Sequence, residues 1–107
     1  MKVPSYASEF ATVEKTVEFA AAWGGSTSFF RIEALREEGG SCFCRVYIKR
    51  RFEMSDALTI ENGVQVQAKG EHDVWVDFPA APWSHGKTAD EALNHQMSLL
   101  SDRLKKI

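Results

Sequence analysis

At 107 residues, with 44% hydrophobic and 26% charged side chains, the chain is long enough for one hydrophobic core and too short for two. A formal net charge of -2, from 13 basic and 15 acidic residues, excludes both a global attraction to phosphate and a polyacidic mimic of it, so an electrostatic partner has to meet a local patch. No run of about 18 apolar residues occurs and no apolar stretch follows Met1-Lys2-Val3-Pro4, so neither a membrane span nor an export signal is expected. The expectation is therefore a single cytoplasmic domain over residues 1–107.

Over residues 6–21 the apolar side chains Tyr6, Phe10, Val13, Val17 and Ala20 or Ala21 recur at helical spacing, with Glu9, Glu14, Lys15 and Glu18 between them. This predicts an amphipathic N-terminal helix ended by Gly24-Gly25, with Trp23 folded onto its last turn. Past Thr27 the period becomes two. Phe30, Ile32 and Ala34 fall on one side and Phe29, Arg31 and Glu33 on the other, which predicts a strand. A second alternation sets Cys42, Cys44, Val46 and Ile48 against Phe43, Arg45, Tyr47, Lys49 and Arg51. A three-residue loop between these strands aligns Ala34 with Cys44 and Ile32 with Val46, apolar with apolar, whereas a two-residue loop at Gly39-Gly40 would mix the faces.

The same parity argument at Glu61-Asn62-Gly63 predicts a three-residue loop with Ile60 opposite Val64 and Leu58 opposite Val66. The next strand then has Val64, Val66 and Ala68 inward and Gln65, Gln67 and Lys69 outward. A turn at Lys69-Gly70-Glu71 is expected to lead to a last strand with Val74, Val76 and Phe78 inward and Asp73, Trp75 and Asp77 outward. Pro79 and Pro82 end the sheet, and residues 79–87 read as a loop. Thr88-Ala89-Asp90-Glu91 is a capping box that starts a C-terminal helix, whose stripe is Ala89, Leu93, Met97, Leu100 and Leu104, with Arg103, Lys105 and Lys106 near its end. The predicted fold class is α+β: N-terminal helix, four- to five-stranded antiparallel meander and C-terminal helix, in two layers with both helices on the aliphatic face.

Cys42 and Cys44, two apart on one strand, point the same way without facing each other. A disulfide between them would be strained, and two ligands are too few for structural zinc unless His72, His85 or His95 joins them. They read as small buried hydrophobes, and no metal or cofactor is expected. The chain lacks Gly-x-Ser-x-Gly, a phosphate-cradling glycine loop and His-Glu-x-x-His, so it reads as non-catalytic. His85, near Ser84 and Lys87, is the strongest candidate for a titrating group.

With both helices on one face, the other is left open. It carries Phe29, Arg31, Phe43, Arg45, Tyr47, Lys49, Arg51, Gln67 and Trp75, with Arg45, Tyr47 and Trp75 as anchors. Aromatic and arginine side chains are the types that dominate protein–protein hot spots, which points to a protein-interaction module, an inhibitor, neutraliser or adaptor, binding a partner or a second copy of itself. Base stacking on the same rings with phosphate contacts from Arg45, Lys49 and Arg51 would instead serve single-stranded nucleic acid. The overall charge and Asp73 and Asp77 beside Trp75 weigh against that use.

Val74-Trp75-Val76-Asp77-Phe78-Pro79, followed by Gly86-Lys87-Thr88-Ala89-Asp90-Glu91-Ala92-Leu93, resembles the strand, Phe-Pro corner and helix start of HicB-like antitoxins. The resemblance spans residues 72–100 and implies a dimer that neutralises a small RNA-cleaving toxin. The predicted order of helix, strands and helix is also similar to double-stranded-RNA-binding domains. The acidic turn at Glu37-Glu38-Gly39-Gly40 and the lone Lys87 limit that likeness to topology.

Overall fold

The computed structural model describes residues 5–6 and 11–107, and for residues 52–61 and 64–72 it describes the backbone pairing alone. Four long strands, β1 (Ala11–Trp23), β2 (Ser26–Glu37), β3 (Cys42–Glu61) and β4 (Val64–Asp77), form an antiparallel meander in chain order. A short β5 (His85–Gly86) pairs with the start of β3, and one helix, α1 (Ala89–Leu100), packs across β2, β3 and β5. Among the described residues the domain is mostly sheet, with one helix on one face.

The predicted N-terminal helix is instead β1. Val13, Val17 and Ala21 are spaced by four, which fits one face of a helix and also, being even, one face of a strand. Thr12, Val13, Thr16 and Val17 are β-branched and favour the extended chain. Val17, Phe19, Ala21 and Trp23 then follow at every second residue against the core. Gly24 and Gly25, both at positive φ, do not cap a helix but make the two-residue turn that sets Trp23 opposite Ser26. The register shifts between Val13 and Lys15, leaving Glu14 as a bulge, so Val13 is 47% exposed while Val17 packs inward. Arg36 holds the bulge by donating to the Glu14 carboxylate and, through Nη1, to the carbonyls of Gly40 and Lys87. Tyr6 lies exposed in a turn, and residues 7–10 of the expected helix fall outside the described residues. Without that helix, the topological likeness to double-stranded-RNA-binding domains is lost.

The hairpin between β2 and β3 has the predicted register, Ile32 opposite Val46 and Ala34 opposite Cys44. The hairpin between β3 and β4 does not. Asn62 and Gly63, at φ 49 and 78, form a two-residue turn, so Ile60 faces Gln65 and Leu58 faces Gln67. Two successive positive φ values give the turn the twist of its flanking strands, and this local preference overrides parity at the tip. Nearer the core, where Ile48 faces Val76, the apolar register prevails. A shift between Met54 and Ala57 absorbs the one-residue difference between the two. Gly70, expected in a turn, lies inside β4 opposite Met54, next to that bulge.

The core lies between the sheet and α1: Phe30, Ile32, Ala34, Cys42, Cys44, Val46, Ile48 and Phe78 meet Ala92, Leu93 and Leu100. Thr88 caps α1 by accepting from the amide of Glu91, and the Glu91 carboxylate accepts from the amide of Lys87. The helix ends at Leu100 rather than reaching Leu104, because the chain turns back to pair Lys105 with Ala22 through two backbone hydrogen bonds. Ala92 and Gln96 take the inward positions with Leu93 and Leu100, and Met97 of the expected stripe stands 46% exposed. The predicted loop 79–87 contributes β5. There Gly86 comes so close to α1 that a Cβ would lie 2.7 Å from the amide nitrogen of Ala92.

Candidate interaction face

Strand alternation places every second side chain on the face that α1 leaves uncovered, and the register lines them up in rows across the sheet. Glu18, Arg31, Tyr47 and Asp77 form one row over four strands. Thr16, Glu33 and Arg45 form the next, and Val13, Leu35, Phe43 and His85 a third. On the other side of the first row, Ala20 pairs with Phe29 and Lys49 with Trp75.

The two ends of this face differ. Trp83, two residues before His85 and therefore on the same side, stacks on Phe43 with centroids 5.6 Å apart and planes 10° apart. Phe43 and Leu35 are buried although they belong to the uncovered face. Phe43 thus lies beneath Trp83, which is itself 69% exposed. The opposite end is open. Phe29 is 55% exposed, and the Lys49 ammonium stands 5.6 Å from its ring centroid and 5.0 Å from that of Trp75. The Arg31 guanidinium carbon lies 4.5 Å from the Trp75 centroid, while Arg31 Nε donates to Glu18 Oε1 at 2.8 Å. Glu18, Phe29, Lys49 and Trp75 border a shallow groove of about 250 Å³.

Carboxylates answer the arginines of this surface. Arg31 is bound to Glu18, Arg51 Nε donates to Asp73 Oδ1 at 3.2 Å, and Arg45 sits directly across from Glu33. Burial pushes the Tyr47 hydroxyl above its ordinary pKa, and a hydrogen bond with Arg45 works against that rise. Of the predicted site residues, the fold therefore brings together Phe29, Arg31, Arg45, Tyr47, Lys49, Arg51 and Trp75. The Gln67 side chain lies outside the described residues. Trp83 and Glu18 were missed. Trp83 was legible as one member of the alternation Trp83-Ser84-His85, whereas Glu18 was hidden by the helical reading of its segment.

Ser84 and His85 do not converge. His85 is exposed, while Ser84 is buried, donates to the Ala92 carbonyl at 3.0 Å and lies 3.3 Å from His95 Nδ1. Cys42 and Cys44 are buried free thiols. Burial is the main cause that raises both, Cys44 to about 11, so the Cys44 thiol stays protonated at neutral pH. Among the described residues, no three His, Cys, Asp or Glu side chains gather to hold a metal ion, and no helix is long and apolar enough to cross a membrane.

Compared with known proteins, the chain matches no protein-family model, no curated protein and no solved structure.

Proposed function

We propose that this chain is a protein-interaction module, an inhibitor, neutraliser or adaptor, that binds its partner through the uncovered sheet face. The observation that carries this reading is the surface cluster of exposed Phe29 and half-buried Trp75 interleaved with Lys49 and Arg31. Such rings present large contact area at low conformational cost, and arginine beside them is a frequent partner in hot spots. The cross-strand carboxylates favour protein over single-stranded nucleic acid, because a phosphate backbone would meet Glu18, Glu33, Asp73 and Asp77 along with the cations. A HicB-like antitoxin is a narrower form of the same reading, supported by β4 running into Phe78-Pro79 and by the capped start of α1.

The test is affinity capture from lysate of the host, with wild type, Trp75→Ala/Phe29→Ala and the helix-face control Met97→Ala, analysing protein and nucleic acid. A protein held by wild type and Met97→Ala but lost from the double variant is the expected result, with little change between about 50 and about 200 mM salt. Equal recovery by all three forms, or captured nucleic acid released steeply by salt, overturns it.

A further inference from the structure

Resting on that reading, we propose that the occupant of the uncovered face is a second copy of this chain. The first argument is area. A compact monomer of 12.0 kDa exposes about 6,000 Å², whereas this chain exposes 7791 Å². Its radius of gyration is 17.0 Å, against about 13 Å for a compact domain of this length. The molecule is a plate of 45 × 43 × 17 Å, one sheet with one helix layer. The excess of roughly 1,800 Å² is spread over the whole chain, and a stable dimer needs only about 800 Å² of it from each partner.

The second argument is charge. A two-fold interface sets a surface against its own copy, so a face of one sign would repel itself. Here every row that carries a cation also carries or adjoins an acid: Arg31 with Glu18, Arg45 with Glu33, Arg51 with Asp73. Such a surface is compatible with itself. The outer edge of β4 is left to the experiment, and the third argument removes the other strand-addition rival, at the edge of β1. That edge is kinked by the Glu14 bulge at one end and already paired through Ala22 with Lys105 at the other. Sheet-on-sheet packing through the aromatic rows would bring Phe29 and Trp75, at the open end of the face, into the contact.

The experiment is sedimentation equilibrium of the full chain, up to roughly 100 μM, for wild type, Phe29→Asp, Lys49→Glu and Met97→Asp. Near-ultraviolet circular dichroism checks that each variant is folded. The expected result is a wild-type mass twice that of the chain, unchanged in Met97→Asp, with dimer dissociation constants raised at least tenfold in Phe29→Asp and Lys49→Glu. Should Phe29→Asp fail to fold, Lys49→Glu decides alone, since it changes one half-buried surface cation and no core contact. A monomeric wild type, or a dimer that both face variants leave intact, overturns the inference. A monomer that still captures a different protein, lost on Phe29→Asp, sinks the second copy and leaves the protein-interaction reading standing. A monomer that captures none sinks both.

Discussion

Lys49 holds its ammonium between two rings on different strands: Trp75, its partner across the ladder of β3 and β4, and Phe29 of β2. The contact falls where β2 and β3 cease to pair, since Phe30 opposite Ile48 is their last backbone match. Side chains continue the sheet one step beyond its hydrogen bonds. Removing the charge in Lys49→Met should lower stability by about 0.5–1 kcal/mol, and Trp75→Ala by more, because it also releases Arg31. Urea denaturation of both variants measures this. No loss in either would mean that the cluster contributes nothing to the fold.

The strand assignment of residues 11–23 makes a pattern that a helix would not. Phe19 stacks on Phe30 with centroids 5.5 Å apart, while Val13 faces outward. Phe19→Ala should cost about 2 kcal/mol and Val13→Ala under about 0.5 kcal/mol. An amphipathic helix with Val13 on its apolar stripe would reverse that order in the same denaturation series.

Gly86 is required for close approach rather than for its dihedral freedom. A methyl group there meets the backbone of Ala92 and Glu91, which belongs to a capped helix start and cannot swing aside. Gly86→Ala is expected to destabilise by about 1–3 kcal/mol. Thr88→Ala, which removes the cap alone, should cost about 1 kcal/mol. Thermal melts of the two variants separate packing from capping. A neutral Gly86→Ala would show that β5 and α1 can move apart freely.

Cys44 sets a pH dependence whose sign is fixed by its burial. Its thiol is raised from 9.0 to about 11 in the folded chain, so the folded state holds the proton more tightly than the unfolded one. The resulting stability is fully present below about pH 9 and is lost as pH rises towards 11. Tyr47, also raised by burial, acts in the same direction, so Cys44→Ala should weaken the alkaline decline without abolishing it. At neutral pH the native thiols should resist alkylation and react only on unfolding, as mass spectrometry of iodoacetamide-treated protein would register. Rapid native labelling of Cys44 would contradict its placement.

Much of the fold was legible wherever no local signal opposed another. The register of β2 and β3 followed from parity alone, because both strands have one apolar face over the same core. The start of α1 followed from Thr88 and Glu91. The outward rows of β2 and β3 followed from alternation. Where two signals disagreed, the sequence offered no means of weighing them. Spacing by four in Val13, Val17 and Ala21 satisfies helix and strand equally, and the choice was made by whether Phe30 and Phe78 stood ready to receive Phe19 and Trp23.

By itself, then, the amino-acid order determined which side chains share a strand face, where the C-terminal helix begins, and that aromatic and basic residues would stand together on one side of a sheet. These are consequences of covalent geometry and act over a few residues. The tertiary structure alone decided that residues 11–23 extend as an edge strand. It also decided that a bulge reconciles the Asn62-Gly63 turn with the core register, and that Trp83 closes one end of the aromatic face and leaves the other open. Each of these depends on surfaces brought together from distant parts of the chain, where packing and backbone hydrogen bonding outweigh local preferences of about 1 kcal/mol or less per residue.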